Sequence, residues 1–144
     1  MCIRDRRYLA GREHSRLELT RKLAPHEAHP GEIEAVLDEL QAKGYISEAR
    51  VAASVVHRRA PKLGTARVRQ ELQSKGLPPE LVAQTVAELR QSEQARAQDV
   101  WRRKFDAPPQ NPQETVKQMR FLISRGFAPD VVRRVVAAAG QTDD

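Results

Sequence analysis

The chain has 144 residues with a formal charge of +6; 40% of the residues are hydrophobic, 31% are charged and only 4% are aromatic. This length fits one compact domain or a short array of small units, and the spread-out positive charge permits a partner rich in phosphate or carboxylate. No stretch approaches the roughly 18 apolar residues of a membrane span or resembles a secretion signal, and the single cysteine, Cys2, excludes an intrachain disulfide, so we expect a cytoplasmic protein without membrane contact.

The first predicted helix covers residues 14–23 and begins with a capping box, formed by the Ser15 hydroxyl and the Glu18 carboxylate. A proline-bearing connection, "APHEAHPGE" (24–32), leads to a second helix near 31–43. A third helix is predicted near 47–59, with Ser47 as its N-cap. Apolar residues recur at helical spacing, without an alternating run of four or more, so the sequence predicts an all-α fold.

The same arrangement follows twice more along the chain. Helices are predicted near 65–75, 79–90 and 93–105 in the second copy, and near 113–125 and 129–139 in the third. Pro79, Pro112 and Pro129 mark first helical positions, and Asn111 is a candidate N-cap. Only "GQTDD" follows the last helix, so we expect its copy to lack a third helix or to have a frayed one, and "DAPPQNPQ" (106–113) is the candidate for a flexible joint.

Equivalent apolar positions define the period of the repeat. Leu23, Leu72 and Leu122 align at spacings of 49 and 50 residues. Three more apolar residues follow at the same distances in each copy: Ile33, Leu37 and Leu40; Val82, Val86 and Leu89; Val132, Val136 and Ala139. This period is typical of helical solenoid units. We therefore predict one elongated domain, 1–144, of three tandem helix-turn-helix-like repeats at about 8–60, 64–106 and 112–140, the last of them incomplete.

Three glycines carry a recurring helix-ending signal. Each follows a lysine or arginine and precedes an apolar residue: Gly44 before Tyr45, Gly76 before Leu77, and Gly126 before Phe127. A glycine at this place adopts the left-handed conformation that ends a helix, and the next apolar residue can pack back on the last turn. Gly44 closes a second helix, whereas the other two close first helices.

The sequence offers little for bond-making chemistry. His26 and His29 form an H-x-x-H pattern in a proline-bounded loop without further ligands, so we expect a solvated loop rather than a metal site. His14 precedes the Ser15 cap, where a surface or capping role is expected. Phosphate-binding, dinucleotide-binding and serine-hydrolase motifs are absent from the sequence. We therefore predict no catalytic residues, no metal and no cofactor.

Clusters of basic residues are the stronger indication of function. The candidate partner-binding residues are Arg58, Arg59, Lys62, Arg67, Arg69, Lys75, Arg102, Arg103, Lys104, Arg133 and Arg134. Equivalent faces of successive units could form a broken basic stripe that suits nucleic acid or an acidic protein groove. The alternative is that these residues only keep amphipathic helices soluble while their apolar stems cover the core. Trp101 and Phe105, four residues apart, are predicted core residues rather than stacking platforms for bases.

Four segments in this order resemble the RecX family of bacterial regulators of the RecA recombinase: "REHSRLELTRKL" (12–23), "VLDELQAKGYISEARVAASVV" (36–56), "GTARVRQELQSKGL" (64–77) and "RFLISRGFAPDVVRRVV" (120–136). The resemblance implies three tandem three-helix repeats curved into an elongated body. It also implies a non-enzymatic protein, which we expect to be a monomer, that binds the RecA–single-stranded DNA filament and inhibits ATP hydrolysis, strand exchange and filament growth. Single- or double-stranded DNA is a further candidate partner.

The chain departs from the family pattern at three places. Ser47 and Glu48 replace a frequent acidic pair, "APHEAHPG" replaces a short turn, and the opening "MCIRDR" has no counterpart, so Cys2 is assigned no role. Two other classes stay open: an independent DNA-binding module and a helical scaffold for another protein. The second helices, "GEIEAVLDEL" and "PELVAQTVAEL", are acidic or neutral, which counts against major-groove recognition. For a filament regulator, we expect charge reversal at Arg67 and Arg69 to weaken the effect on RecA without changing helicity.

Overall fold

The structure, a computed structural model, describes residues 13–140. Seven α-helices follow one another in this part of the chain: α1 (Arg16–Leu23), α2 (Glu32–Ala42), α3 (Glu48–Arg59), α4 (Thr65–Ser74), α5 (Pro79–Lys104), α6 (Pro112–Ser124) and α7 (Pro129–Ala139). A short 3₁₀ turn, Ala24–His26, extends α1, and no strand lies within residues 13–140. The predicted all-α fold is confirmed.

The predicted helix starts are also confirmed. The Ser15 hydroxyl accepts a hydrogen bond from the Glu18 amide at 3.1 Å, and the Glu18 carboxylate accepts one from the Ser15 amide at 3.1 Å, which completes the capping box. Ser47 caps α3, and Asn111 caps α6 by accepting from the Glu114 amide at 2.8 Å. Helices α5, α6 and α7 each begin with a proline, whose missing amide hydrogen costs nothing at that position.

The helices predicted near 79–90 and 93–105 are one continuous helix, α5, so the prediction of two separate helices is wrong. The intervening "RQSEQ" (90–94) contains neither glycine nor proline, and nothing in it opposes the helical conformation. Its 26 residues give α5 a length of about 39 Å. The helix therefore joins the middle of the molecule to its C-terminal part without a hinge.

The apolar residues form three separate cores. The first lies between α1, α2 and Ile46, and the second between α3, α4 and the first half of α5. The third lies between the second half of α5, α6 and α7. Helix α5 thus serves two cores: Val82 and Leu89 enter the second, whereas Ala97 and Val100 enter the third. The predicted boundaries near 60–64 and 106–112 fall inside these packed units, between α3 and α4 and between α5 and α6.

The repeat positions predicted from spacing occupy equivalent places in the cores. Leu23, Leu72 and Leu122 are all buried, and the anchors that follow them as far as Val136 pack within the same cores. The last anchor, Ala139, is also buried. The third helix of the last unit is the second half of α5, which precedes α6 in the chain. A third helix after residue 139 would fall largely on residues 141–144, which lie outside the described residues.

Left-handed glycines end three helices, as predicted. The φ angles are +81° at Gly44, +69° at Gly76 and +95° at Gly126. Leu77 and Phe127, which follow Gly76 and Gly126, are buried. Tyr45, which follows Gly44, is 50% exposed, and the next residue, Ile46, is buried instead. The expected packing of Tyr45 on α2 is therefore wrong: its amide donates to the Leu40 carbonyl at 2.9 Å, but the side chain that enters the core is that of Ile46.

Backbone and carboxylate contacts join the second and third units. The Gly64 amide donates to the Arg125 carbonyl at 2.7 Å, and the Ala66 amide to the Gly126 carbonyl at 3.2 Å. Glu93, only 2% exposed, accepts hydrogen bonds from the amides of Thr65 (3.4 Å) and Ala128 (3.2 Å). One carboxylate on α5 thus holds the start of α4 and the start of α7, so the two units pack as one body.

Candidate functional site: a basic groove between three helix ends

A groove of about 360 Å³ lies where the C-terminal ends of α3, α5 and α6 approach one another. Five basic residues line it: Arg59, Lys62, Arg103, Lys104 and Arg125. Three apolar residues complete the lining: Leu63, Val100 and Phe121. We call this surface the basic groove. Because the lining contains no carboxylate, the groove combines a concentrated positive charge with a hydrocarbon surface.

Helix chemistry explains why the bases gather here. Arg59 is the last residue of α3, Lys104 is the last residue of α5, and Arg125 is the C-cap of α6. Carbonyl groups at a helix C-terminus carry partial negative charge, so lysine and arginine stabilise it. Part of the positive charge in the groove therefore serves the helix ends, and the remainder is available to a ligand.

Two of the arginines are held in fixed positions. Arg59 donates from Nε to Glu71 Oε1 at 3.1 Å. Arg103 donates from Nη2 to the Pro61 carbonyl at 2.6 Å and from Nε to the Asp99 carbonyl at 3.2 Å. These contacts limit the movement of both guanidinium groups, so less conformational entropy is lost when an anion binds them.

The aromatic ring of Phe121 is covered by cations. The Arg125 guanidinium lies 4.8 Å and the Lys104 ammonium 5.4 Å from the ring centroid, distances at which both are attracted to the ring. Phe105 meets the same ring nearly at right angles, at a centroid distance of 5.5 Å. Phe121 thus positions two cations.

Of the aromatic pair predicted to fill the core, Trp101 packs against a core, whereas Phe105 contacts the rings of Trp101 and Phe121 at the end of α5. Trp101 packs against the third core and donates from Nε1 to Gln118 Oε1 at 2.8 Å. Its ring centroid lies 6.3 Å from that of Phe105, and both residues are partly buried. Both rings contact other side chains of the protein, and the prediction that they do not serve as stacking platforms for bases stays a prediction.

The structure brings four of the predicted binding residues together in the basic groove: Arg59, Lys62, Arg103 and Lys104. Arg58, Arg102, Arg133 and Arg134 are exposed outside it, with Arg102 near Asp99 (3.7 Å) and Arg134 paired with Asp130 (3.2 Å). The candidate bases between Arg58 and Arg69 are therefore divided between several surfaces.

Three predicted residues lie elsewhere. Arg67 donates from Nη2 to the Ser124 carbonyl at 2.8 Å and so joins α4 to the end of α6. Arg69 lines a different cleft, together with Arg90 and apolar residues of α5. The Lys75 side chain is only 13% exposed and pairs with Glu18 at 3.2 Å, which joins α4 to α1. Arg67 and Lys75 thus have packing roles that the sequence did not reveal.

Sequence reasoning missed two basic residues of consequence. Arg125 belongs to the groove, and its only signal is the base that precedes the glycine in the recurring turn. Arg96 lies beneath the turn between α3 and α4, where it donates to the carbonyls of Ala60 (3.0 Å) and Leu63 (2.7 Å). Burial lowers the pKa of Arg96, an effect that the Glu93 carboxylate opposes. Arg96 fixes the segment that carries Lys62 and Leu63 into the groove.

The histidines differ in their surroundings. His26 and His29 are exposed, and residues 13–140 contain no group of side chains suited to hold a metal ion. His14 is buried, with Nε2 at 2.9 Å from Lys22 Nζ, so its expected surface position is wrong. In the same range, no helix has both the length and the apolar character needed to cross a membrane.

Three family models and a solved structure match this chain. The models of the first, second and third three-helix domains of RecX match residues 7–40, 47–86 and 91–136. The second and third matches divide α5 between two domains, as the apolar cores do. A crystal structure of RecX from Lactobacillus salivarius covers 94% of this chain, and 91% of that chain is covered, with a TM-score of 0.79 at 16% identity, which shows a shared fold.

Sequence relatives extend over nearly the whole chain. The regulatory protein RecX of Leptothrix cholodnii is 56% identical over 138 residues, 96% of this chain and 88% of the relative. The regulatory protein RecX of Ralstonia nicotianae is 48% identical over 132 residues, 92% of this chain and 83% of the relative. With three domain models matched in order and identities of this size, the chain belongs to the RecX family of regulatory proteins.

Proposed function

We propose that this protein is a non-enzymatic regulator that binds the RecA–single-stranded DNA filament in the cytoplasm and inhibits RecA ATP hydrolysis, strand exchange and filament growth. It would act as a monomer and thereby modulate recombination and DNA repair. The basic groove is the observation that supports this proposal, together with membership of a family of regulatory proteins. Among its lining residues are cations and hydrocarbon side chains, which suit binding rather than bond making.

The mechanism we propose is a shift between filament states. A regulator changes such an equilibrium only by the difference between its affinities for the two states. Units joined through Glu93 and the continuous α5 present the basic groove on a rigid support, so a filament would have to fit the protein rather than the reverse. Binding across neighbouring protomers would then disfavour the filament geometry that hydrolyses ATP, or block addition of the next monomer.

We assign the contact mainly to the groove. Lys62 and Lys104 are exposed members of it, and Arg58, Arg102, Arg133 and Arg134 would add positive charge that steers the protein towards a filament carrying DNA. Lys75 is held in its pair with Glu18 and would contribute little. Reversal of Arg67 breaks a contact with Ser124, so the double reversal at Arg67 and Arg69 mixes a binding effect with a packing effect.

The test is RecA's single-stranded-DNA-dependent ATPase, titrated with this protein beside a measurement of its binding to DNA alone. We expect inhibition at amounts below the stoichiometry of RecA, with weak binding to naked DNA. Tight, strongly salt-dependent DNA binding without any ATPase effect would instead identify a DNA-binding module. The absence of both effects would leave a scaffold for another protein and contradict the proposal.

Matched variants locate the site within the same assay. Lys62→Glu combined with Lys104→Glu changes the groove, whereas Arg58→Glu combined with Arg133→Glu makes the same change of charge outside it. We expect the groove pair to raise the concentration for half inhibition by roughly tenfold and the control pair to raise it much less. If both pairs raised the concentration for half inhibition equally, the groove would contribute only positive charge and would not be the specific contact site.

A further inference from the structure

We infer that the basic groove binds an acidic segment of a partner polypeptide, with one apolar side chain of that segment seated on Leu63, Val100 and Phe121. This rests on the proposed function only in requiring a protein partner, and its test uses no RecA. The ligand carries carboxylates on both sides of a single aliphatic side chain, in an extended segment.

Charge complementarity is the first argument. Five cations surround one groove, and no carboxylate is among the lining residues. Within the described part of the chain, Arg59 commits only its Nε–H, to Glu71, and Lys62 makes no ion pair. Guanidinium groups bind carboxylates through paired N–H donors, and this geometry suits the side chains of aspartate and glutamate.

The apolar surface is the second argument. A phosphate backbone has no apolar group to place on the hydrocarbon between the cations, whereas an acidic polypeptide segment can carry an apolar side chain between two acidic ones. Leu63 and Phe121 are only partly buried, so apolar area remains for a ligand to cover. The groove volume of about 360 Å³ lies near the lower limit of ligand-sized pockets and fits a small anchor rather than a helix.

The covering of Phe121 argues against single-stranded nucleic acid as the occupant. Nucleic-acid grooves of this kind stack bases on open aromatic faces. Here the Arg125 guanidinium and the Lys104 ammonium lie over the Phe121 ring, and the Phe105 ring packs against it nearly at right angles. A base would have to displace cations that bind its own phosphates, whereas an aliphatic side chain needs only contact with the exposed part of Phe121 that lines the groove beside Leu63 and Val100. Carboxylates, in contrast, meet those cations where they already are.

The experiment measures binding of three fluorescent probes to the full chain. The first is a short peptide of acidic residues with one central leucine, the second has glycine in place of that leucine, and the third is an oligothymidylate of similar net charge. We expect the leucine peptide to bind about tenfold more tightly than the glycine peptide, because the leucine side chain leaves water on binding. We expect the oligothymidylate to bind more weakly than either.

Variants then assign the binding to the groove. Lys62→Glu with Lys104→Glu should weaken binding of the leucine peptide by tenfold or more, and Arg58→Glu with Arg133→Glu by much less, with equal thermal stability as the folding control. Equal binding of the two peptides, tighter binding of oligothymidylate through the same two lysines, or no binding of either peptide would each overturn the inference. Any of these results can coexist with inhibition of RecA, so failure here is distinct from failure of the proposed function.

Discussion

Arg67 lies over the α-carbon of Gly126. A β-carbon at Gly126 would be 2.9 Å from the β-carbon of Arg67 and 2.9 Å from its backbone nitrogen, closer than real β-carbons approach. Fifty residues earlier along the chain, Leu17 lies over Gly76 in the same way, with its Cδ2 2.6 Å from such a β-carbon. The glycine turn therefore recurs for two reasons: it ends a helix in the left-handed conformation, and it receives the start of a helix from the preceding unit, α1 at Gly76 and α4 at Gly126.

Replacement of Gly126 separates these two reasons. Gly44 has a similar φ of +81°, but a β-carbon there would meet nothing within 4 Å. We expect Gly44→Ala to lower the free energy of unfolding by about 1–2 kcal/mol, the cost of the left-handed conformation alone. Gly126→Ala should lower it by at least a further 1 kcal/mol or so, because Arg67 must move and lose its bond to Ser124. Urea unfolding of the full chain measures both, and equal losses would show that the close approach has no energetic consequence.

Glu93 is expected to be the residue that holds the second and third units together. Glu93→Gln removes the charge that attracts the amides of Thr65 and Ala128 and should lower the free energy of unfolding by about 1–3 kcal/mol. Hydrogen exchange at those two amides should accelerate more than exchange in the interior of α5. Glu88→Gln, an exposed change on the same helix, is the control and should leave both quantities nearly unchanged. Unaltered exchange at Thr65 and Ala128 in the Glu93 variant would contradict this role.

Substitution of Arg96 by lysine shows whether its several hydrogen bonds or only its charge hold the turn between α3 and α4. Its guanidinium donates to five main-chain or hydroxyl oxygens: those of Ala60, Leu63, Thr65, Leu89 and Ser92. Lysine keeps the charge but has one nitrogen, so Arg96→Lys should lose several of these bonds and about 2 kcal/mol of stability. Arg102→Lys, at an exposed position nearby, should cost almost nothing. Similar thermal midpoints for the two variants would show that the bonds around Arg96 are dispensable.

The all-α fold was predictable because its signals are local. Leucines at repeated spacing, Ser15 and Asn111 as caps, and glycines after a base each depend on a few neighbouring residues. The phase of the repeat was not predictable, since a period of about 49–50 residues is the same wherever a unit is taken to begin. Burial decides the phase, and it does so through α5, whose two halves face different cores.

The candidate site was predictable only in part. Basic residues at helix ends were visible in the sequence, and four of them meet in the basic groove. Arg67 and Lys75 lie outside the groove, and Arg125 of α6 lies in it. Both facts depend on which helix ends approach one another in three dimensions, and the sequence does not show this. The role of Glu93 had no signal at all, because a glutamate on a helix resembles any solvated acid until its two amide partners are located.

A proline at Gln91 tests whether α5 is one continuous helix. Gln91 is exposed and lies between the two helices predicted near 79–90 and 93–105. A proline at a true break is tolerated, but inside a continuous helix it removes a hydrogen bond and clashes with the preceding turn, at a cost of about 3 kcal/mol or more. We therefore expect Gln91→Pro to lower the midpoint of urea unfolding sharply and Gln91→Ala to leave it unchanged or slightly raised. Because α5 carries Val100, Arg103 and Lys104 into the basic groove, the proline variant should also weaken binding of the acidic leucine peptide, whereas the alanine variant should not. A proline variant as stable as the alanine variant would mean that α5 bends or breaks near residue 91 in solution.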